Sequence, residues 1–374
     1  MIKIVADDKI PFLKGVLEPY ADVKYIPGRE ITRKAISDAD ALLIRTRTKC
    51  TGELLEGTGI KYIATATIGF DHIDTRYCDS HSVKWINAPG CNSSSVQQFI
   101  TAALLKISQE FRLSLADKTI GIVGVGNVGS KVEKAASLLG MKVLLNDPPR
   151  ARKEGSEQFT DLETLFRESD IISLHVPLNV VGEDKTYHLI NDSSLKKIRK
   201  GTWLINSSRG EVADTASLKK ALASGRLAGT VLDVWEHEPD IDIDLLGRSF
   251  IATPHIAGYS TDGKANGTAI VVNDLSHFFD LPVKEWYPEA LPEPAGRLIE
   301  ISCRGKSPEQ IVREAVNVTY NISEDDLALR FSPSDFEKQR NDYRVRREFQ
   351  AFTVELTGGN KQIRDILKKM GFIV

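Results

Sequence analysis

Thr119-Ile-Gly-Ile-Val-Gly124-Val-Gly126-Asn127-Val128-Gly129 is the stretch that decides the fold. An apolar run at 119–123 enters a Gly-x-Gly-x-x-Gly pattern, and helical spacing over 127–139 follows, ended by Gly140. In that order Gly124 permits a tight turn, Gly126 a close backbone approach to a pyrophosphate, and Gly129 close helix–strand packing. The helix N-terminus then offers N–H groups and a partial positive charge to phosphate. Asn127 and Val128 lie within the same turn and share its expected contact with a dinucleotide. The next apolar run, 142–146, delivers Asp147, 18 residues beyond Gly129. That is close to the spacing of the acid that binds ribose hydroxyls, and a carboxylate there favours NAD over NADP. Arg150 is the nearby group that could offset the preference.

Outward from this turn the chain alternates. Strand patterns precede it at 2–6, 22–25, 41–44, 62–65 and 83–87, with helical spacing at 29–36 and 52–56. A helix is expected over 94–113, with Val96, Phe99, Ile100, Ala103, Leu104 and Ile107 on one broad apolar face. Further strands are expected at 171–175, 203–206, 229–234 and 250–253, and helices at 215–224 and 261–280. Several of these strands are apolar without alternation, as befits strands covered on both faces. Pro282, Pro288, Pro292 and Pro294 mark a strap, beyond which a third unit mixes a strand at 298–302 with helices at 308–316 and 359–370. The expected fold class is α/β, with two Rossmann-like doubly wound parallel-sheet domains and a smaller α+β C-terminal unit.

Bulk properties narrow the functional classes. Lys plus Arg total 49 and Asp plus Glu 51, a net charge of −2 over 374 residues, so no bulk field draws nucleic acid or an anionic membrane. No apolar run is long enough to span a bilayer, and the N-terminus lacks the pattern of a signal peptide. Cys50, Cys78, Cys91 and Cys303 are scattered, which points to reduced thiols in a cytoplasmic protein, with no metal site expected.

Three segments end predicted strands with polar residues: 205–210 with Arg209, 232–239 with Asp233, Glu236 and Glu238, and 253–259 with His255. In parallel sheets the carboxyl ends of strands line the ligand crevice. Removing hydride from a hydroxyl-bearing carbon calls for a base, and His suits neutral pH. A carboxylate substrate calls for a bidentate cation such as Arg. A second carboxylate orients the imidazole and favours its protonated form. His255, Arg209 and Glu238 supply these roles, with Glu236 equal to Glu238 on spacing alone.

Gly-x-Gly-x-x-Gly, Asp147, His175-Val-Pro-Leu, Asn206-x-x-Arg209-Gly, Leu232-Asp-Val-x-Glu-x-Glu238-Pro and Thr253-Pro-His255-Ile together resemble the D-isomer-specific 2-hydroxyacid dehydrogenases. The resemblance implies a catalytic set of Arg209, Glu238 and His255 and an NAD site that adds His175, Ser207, Asp233 and Gly258. It also implies a substrate (lid) domain of 1–93 and 257–285, an NAD-binding Rossmann domain of 94–256 and a C-terminal dimerisation domain of 286–374. The 64–74, 88–92 and 255–265 segments and the C-terminal run from Asp335 to Phe349 resemble one branch, which acts on a small phosphorylated 2-hydroxy acid as a homodimer. By that resemblance Thr46, Thr67 and Tyr259 touch substrate. Arg45, in the polar run 44–49, is a candidate for its phosphate, with Arg344, Arg346 and Arg347 as a second candidate group. The competing expectations are a relative that acts on another acid, such as D-3-phosphoglycerate, and an NAD-sensing regulator that binds a partner protein.

Overall fold

The computed structural model describes all 374 residues. Contacts divide the chain into two units, residues 1–92 with 260–292 and residues 93–259 with 293–374.

In the first unit, β1 (Lys3–Asp7), β2 (Asp22–Ile26), β3 (Ala41–Ile44), β4 (Tyr62–Thr65) and β5 (Lys84–Ile86) form a parallel sheet ordered β2-β1-β3-β4-β5. The twofold period of a strand explains its two cores. Ile4, Ala6, Ala41, Leu43, Tyr62 and Ala64 face Val271, Val272 and Leu275 of the helix Thr261–Phe278. Val5, Leu42, Ile44 and Ile63 face the other way, toward Ile36, Leu55 and Cys78. Strands apolar on both sides therefore have a cover on both sides. The helix expected over 29–36 is instead two short 3₁₀ turns, Gly28–Glu30 and Arg33–Ile36. Thr32 between them is extended, which interrupts the helical ladder.

The second unit holds β6 (Thr119–Val123), β7 (Lys142–Asn146), β8 (Ile171–Leu174), β9 (Thr202–Asn206), β10 (Leu227–Leu232) and β11 (Ile251–Ala252), all parallel, ordered β11-β10-β9-β8-β6-β7. The order reverses between β6 and β8, and ligands of such sheets bind beyond the carboxyl ends of the strands at that point. The long helix Ser93–Phe111 packs on one face, and Gly129–Leu138 packs beside it.

That long helix is buried nearly all round, including Ser95, Gln98 and Thr101. The broad apolar face at Val96, Phe99 and Ile100 meets the sheet cluster. The helix Pro308–Thr319 of the C-terminal segment covers its outer side with Ile311, Val312 and Val316. Gln98 then donates its side-chain NH₂ to the Thr319 hydroxyl (3.3 Å) and the Arg347 carbonyl (3.0 Å). β12 (Leu298–Ser302) and β13 (Thr353–Thr357) form a two-stranded parallel sheet that completes this layer. No helix is long and apolar enough to cross a membrane.

Candidate active site

The glycine turn follows β6 directly. Gly124 has a φ of +87°, open to glycine at little cost. A Cβ on Gly129 would lie 2.0 Å from the Gly124 carbonyl oxygen, so only glycine lets the helix start this close to the strand. A Cβ on Gly126 would meet nothing within 4 Å, so the turn has open space where a ligand can approach its backbone. Asp147, at the end of β7, accepts from Val125 N (2.8 Å) with one carboxylate oxygen and from Arg150 N (3.0 Å) with the other. The carboxylate is thereby held at the rim of the turn. Arg150 sends its guanidinium to Glu154 (2.9 and 2.6 Å) and to the Val125 carbonyl (2.6 Å). Those engagements weaken it as a counterweight to Asp147.

Two further features fit a dinucleotide. The buried hydroxyl of Ser207 has no hydrogen-bond partner. His175, just past β8, lies under the turn, its backbone carbonyl 2.5 Å from where a Gly124 Cβ would be. Its Nε2 meets the Ser173 hydroxyl at 2.8 Å, and desolvation pushes its pKa down to about 3. The open cradle at Gly126, the Ser207 hydroxyl and the Asp147 carboxylate are the donor and acceptor set that NAD needs.

The loop after β9 presents Arg209. Asn206 fixes it from within, donating to the Arg209 carbonyl (2.9 Å) and accepting from Ser208 N (3.1 Å). A Cβ on Gly210 would sit 2.0 Å from the Trp235 carbonyl carbon and oxygen. The Arg-Gly pair thus lets this loop lie against the 235–238 turn.

That turn separates the two glutamates that spacing left equal. Glu236 meets His188 Nε2 (2.7 Å) and accepts from Thr215 N (2.7 Å), while Asp214 stands close enough to complete a His188, Asp214 and Glu236 cluster within 4.8 Å. Glu238 accepts from Trp235 N (2.9 Å) and bonds His255 Nδ1 (2.7 Å). Burial alone would raise the Glu238 pKa, but His255, the Trp235 N–H and the charge of Arg340 together hold it below the usual range. An ionised carboxylate only accepts, so Nδ1 carries the proton and the neutral ring keeps its lone pair at Nε2. The pair can therefore take a proton at Nε2 and stabilise the resulting imidazolium.

His255 itself adopts φ +57°, a conformation costly for a residue with a side chain. Asp233 holds it there. His255 N donates to the Asp233 carbonyl (2.7 Å). The Asp233 carboxylate, 1% exposed, accepts from Thr253 Oγ1 (2.6 Å), Ile256 N (2.7 Å) and Ala257 N (2.9 Å). Burial is the main influence on that carboxyl and raises its pKa. The contact with NAD expected of Asp233 competes with these bonds. Gly258 and Tyr259 close the same loop.

Of the remaining expected residues, Arg45, Thr46 and Thr67 lie in the first unit and the C-terminal arginines in the second. Arg45 and Thr46 follow β3, beside the point where that sheet's order reverses, and Arg45 donates to the Lys9 carbonyl (3.2 Å). Thr67 follows β4 and shares hydrogen bonds with Thr65 Oγ1 (2.7 Å) and the Gly69 carbonyl (3.1 Å). In the C-terminal arginine group, Arg346 is 3% exposed, bonds Ser95 and the Ala257 carbonyl, and lies over the Tyr320 ring at 4.5 Å. It pins the catalytic loop's exit to the C-terminal segment. Arg344 pairs with Asp325. Arg340, not singled out by the sequence reading, instead donates to the Tyr259 hydroxyl (3.2 Å). The one signal for it was its place in the Asp335–Phe349 run, which carries no local mark of a partner 81 positions earlier.

A dinucleotide turn and a Glu–His pair at successive strand ends of one parallel sheet define an NAD-dependent dehydrogenase. Residues 96–257 match the model of the D-isomer specific 2-hydroxyacid dehydrogenase NAD binding domain, and residues 291–371 match a domain of unknown function, DUF3410. The chain is 49% identical to the erythronate-4-phosphate dehydrogenase of Bacteroides thetaiotaomicron, over 94% of this chain and 99% of that protein. It is 42% identical to the one from Porphyromonas gingivalis, over 100% of both. Among solved structures it resembles D-lactate dehydrogenase from Aquifex aeolicus complexed with NAD and lactic acid, with TM-score 0.63 and 26% identity, covering 78% of this chain and 100% of that one. It also resembles NAD⁺-bound 3-phosphoglycerate dehydrogenase of Entamoeba histolytica, with TM-score 0.63 and 26% identity, covering 78% and 99%. The chain belongs to the erythronate-4-phosphate dehydrogenases, within the D-isomer-specific 2-hydroxyacid dehydrogenase family.

Proposed function

We propose that this protein oxidises 4-phospho-D-erythronate to 2-oxo-3-hydroxy-4-phosphobutanoate, a step toward pyridoxal 5'-phosphate. The observation that carries the chemistry is the 2.7 Å bond between Glu238 and His255 Nδ1, which leaves Nε2 free to act. The substrate follows from likeness to relatives that bear the erythronate-4-phosphate name over nearly the whole chain.

NAD, when bound, accepts the hydride that leaves C2. Gly124, Gly126, Asn127, Val128 and Gly129 hold its pyrophosphate, Asp147 its ribose, and His175, Ser207, Asp233 and Gly258 its remaining length. Arg209 grips the C1 carboxylate with its planar fork. His255 Nε2 takes the C2 hydroxyl proton, and Glu238 stabilises the charge that forms on the ring. Thr46, Thr67 and Tyr259 contact the substrate, and Arg45 contributes to its phosphate.

The division of labour that goes with this reading is a lid of 1–93 and 257–285, an NAD-binding domain of 94–256 and a dimerisation domain of 286–374. Phe331, 92% exposed, and Leu327, 64% exposed one turn earlier, give the C-terminal segment an apolar face of the kind a second copy covers. Four free cysteines agree with a reducing, cytoplasmic setting. His255→Ala is expected to lower oxidation of 4-phospho-D-erythronate by about 10²–10⁴-fold while NAD affinity is kept. A loss below about tenfold contradicts the assigned base.

A further inference from the structure

Three arginines of the C-terminal segment, Arg330, Arg340 and Arg346, bond residues around the His255 loop or the strand before it, while Arg344 bonds within the segment. Arg330 pairs with Asp326 and caps the Leu246 and Ser249 carbonyls. Arg344 pairs with Asp325, and Arg346 bonds Ser95 and the Ala257 carbonyl through Nη2, with its Nε and Nη1 unpartnered beside the Tyr320 and Tyr343 rings. Arg340 differs. Its Nη2 donates to a neutral phenol, Tyr259, and its Nε is shut off from solvent without a hydrogen-bond partner. Its guanidinium lies 5.5 Å from the Tyr259 ring centroid and 5.9 Å from that of Phe336, so its stem and plane are packed in place. Phe336, fully buried, anchors the short helix Phe336–Asn341 that carries it.

A guanidinium offers five N–H donors in a planar fork, and one whose hydrogen bond goes to a neutral phenol keeps donor capacity for an anion. This one stands beside Tyr259 at the end of the His255 loop, and its charge reaches Glu238. We propose that Arg340 donates to an anionic oxygen group of the substrate, so that the C-terminal segment contributes a substrate-binding residue to the active site. The inference rests on the reading above, in which Tyr259 touches substrate. The anion is either the phosphate or the carboxylate, and the two have different consequences.

Arg340→Met keeps the packed stem and removes the donors, and Arg340→Lys keeps the charge as a check on folding. Both are assayed with 4-phospho-D-erythronate and unphosphorylated D-erythronate at saturating NAD. Arg340→Met is expected to lower kcat/KM by about 10- to 10²-fold, mostly through KM, with NAD affinity unchanged. A loss confined to the phosphorylated acid assigns the contact to phosphate, and an equal loss on both assigns it to carboxylate. KM values within about twofold of wild type for both acids overturn the inference. So does an Arg340→Met effect that vanishes in a Tyr259→Phe background, because the arginine would then act only through the phenol. Failure of the wild type to turn over 4-phospho-D-erythronate would defeat the functional reading instead. In that case calorimetry with inorganic phosphate and with oxalate decides. Weakened binding of either anion by Arg340→Met supports the contact, and unchanged binding of both refutes it.

Discussion

Glu238→Gln probes the dyad with the least change of shape. The carboxylate lies 2.7 Å from His255 Nδ1 and is 19% exposed at its side chain, so water screens the pair only in part. With charge centres about 4 Å apart and an effective dielectric of about 20, the carboxylate favours imidazolium by up to about 4 kcal/mol. A charge-assisted hydrogen bond alone is worth about 1.5–3 kcal/mol. The amide loses this and adds a second fault. Gln oxygen can still accept from Trp235 N, bonded to Glu238 at 2.9 Å, which leaves the NH₂ facing His255. Two donors cannot share that contact, so the ring proton moves to Nε2 and the lone pair that takes the substrate proton is lost. A loss of about 2–4 kcal/mol in the transition state corresponds to roughly 30- to 1000-fold in kcat. Initial rates of NADH formation measure it, and NAD titration by protein fluorescence shows whether the fold and cofactor site survive. A kcat within about threefold of wild type, with NAD binding intact, refutes the role given to Glu238. The same pair also makes a prediction about acid stability. The Glu238 pKa is held below its ordinary value in the folded protein. Its contribution to stability is therefore present above about pH 4.5 and is lost as pH falls through the lowered value. The stability gap between wild type and Glu238→Gln should close over that range in urea unfolding.

Two other changes test the scaffold. Asp233→Ala leaves Ile256 N and Ala257 N without their acceptor and frees His255 from its φ of +57°. A loss of about 3–5 kcal/mol in urea unfolding is expected, and a loss under about 1 kcal/mol contradicts the account of the loop. His175, with its pKa pushed down to about 3, stays neutral in the fold while the unfolded chain binds a proton. Wild-type stability should therefore fall as pH drops below about 6.5, by at most about 1.4 kcal/mol per unit from this group. His175→Gln should remove that part of the slope, and identical slopes would count against it.

The sequence carried the site's frame because that frame is local. The 119–129 turn needs glycines at fixed offsets, and the ends of β9, β10 and β11 place Arg209, Glu238 and His255 next to apolar runs that are easy to read. Strand ends alone could not choose between Glu236 and Glu238. The choice depends on the 235–238 turn, which sends one to His188 and the other to His255. Nor could local spacing reveal Arg340, whose hydrogen-bond partner is distant in the chain. Arg346, expected from its charged run as a candidate for the substrate phosphate, is buried between Tyr320 and the Ala257 carbonyl. The long helix 93–111 shows the same limit. Its polar residues imply an exposed side, but the C-terminal segment covers that side and accepts from the Gln98 NH₂ there. β13 was missed because Thr-Val-Glu-Leu-Thr is short and half polar, and its partner β12 lies more than one helix away in the chain.

The measurement that bears most directly on the account is NADH formation by the purified protein with three acids: 4-phospho-D-erythronate, 3-phospho-D-glycerate and unphosphorylated D-erythronate. The account predicts a kcat/KM for the first that exceeds both others by on the order of 10²-fold, the worth of a dedicated phosphate contact added to the shared hydride chemistry. Preferential turnover of 3-phospho-D-glycerate would keep the Glu238–His255 mechanism and contradict the substrate, and NAD binding without turnover of any of the three would contradict the enzyme reading itself.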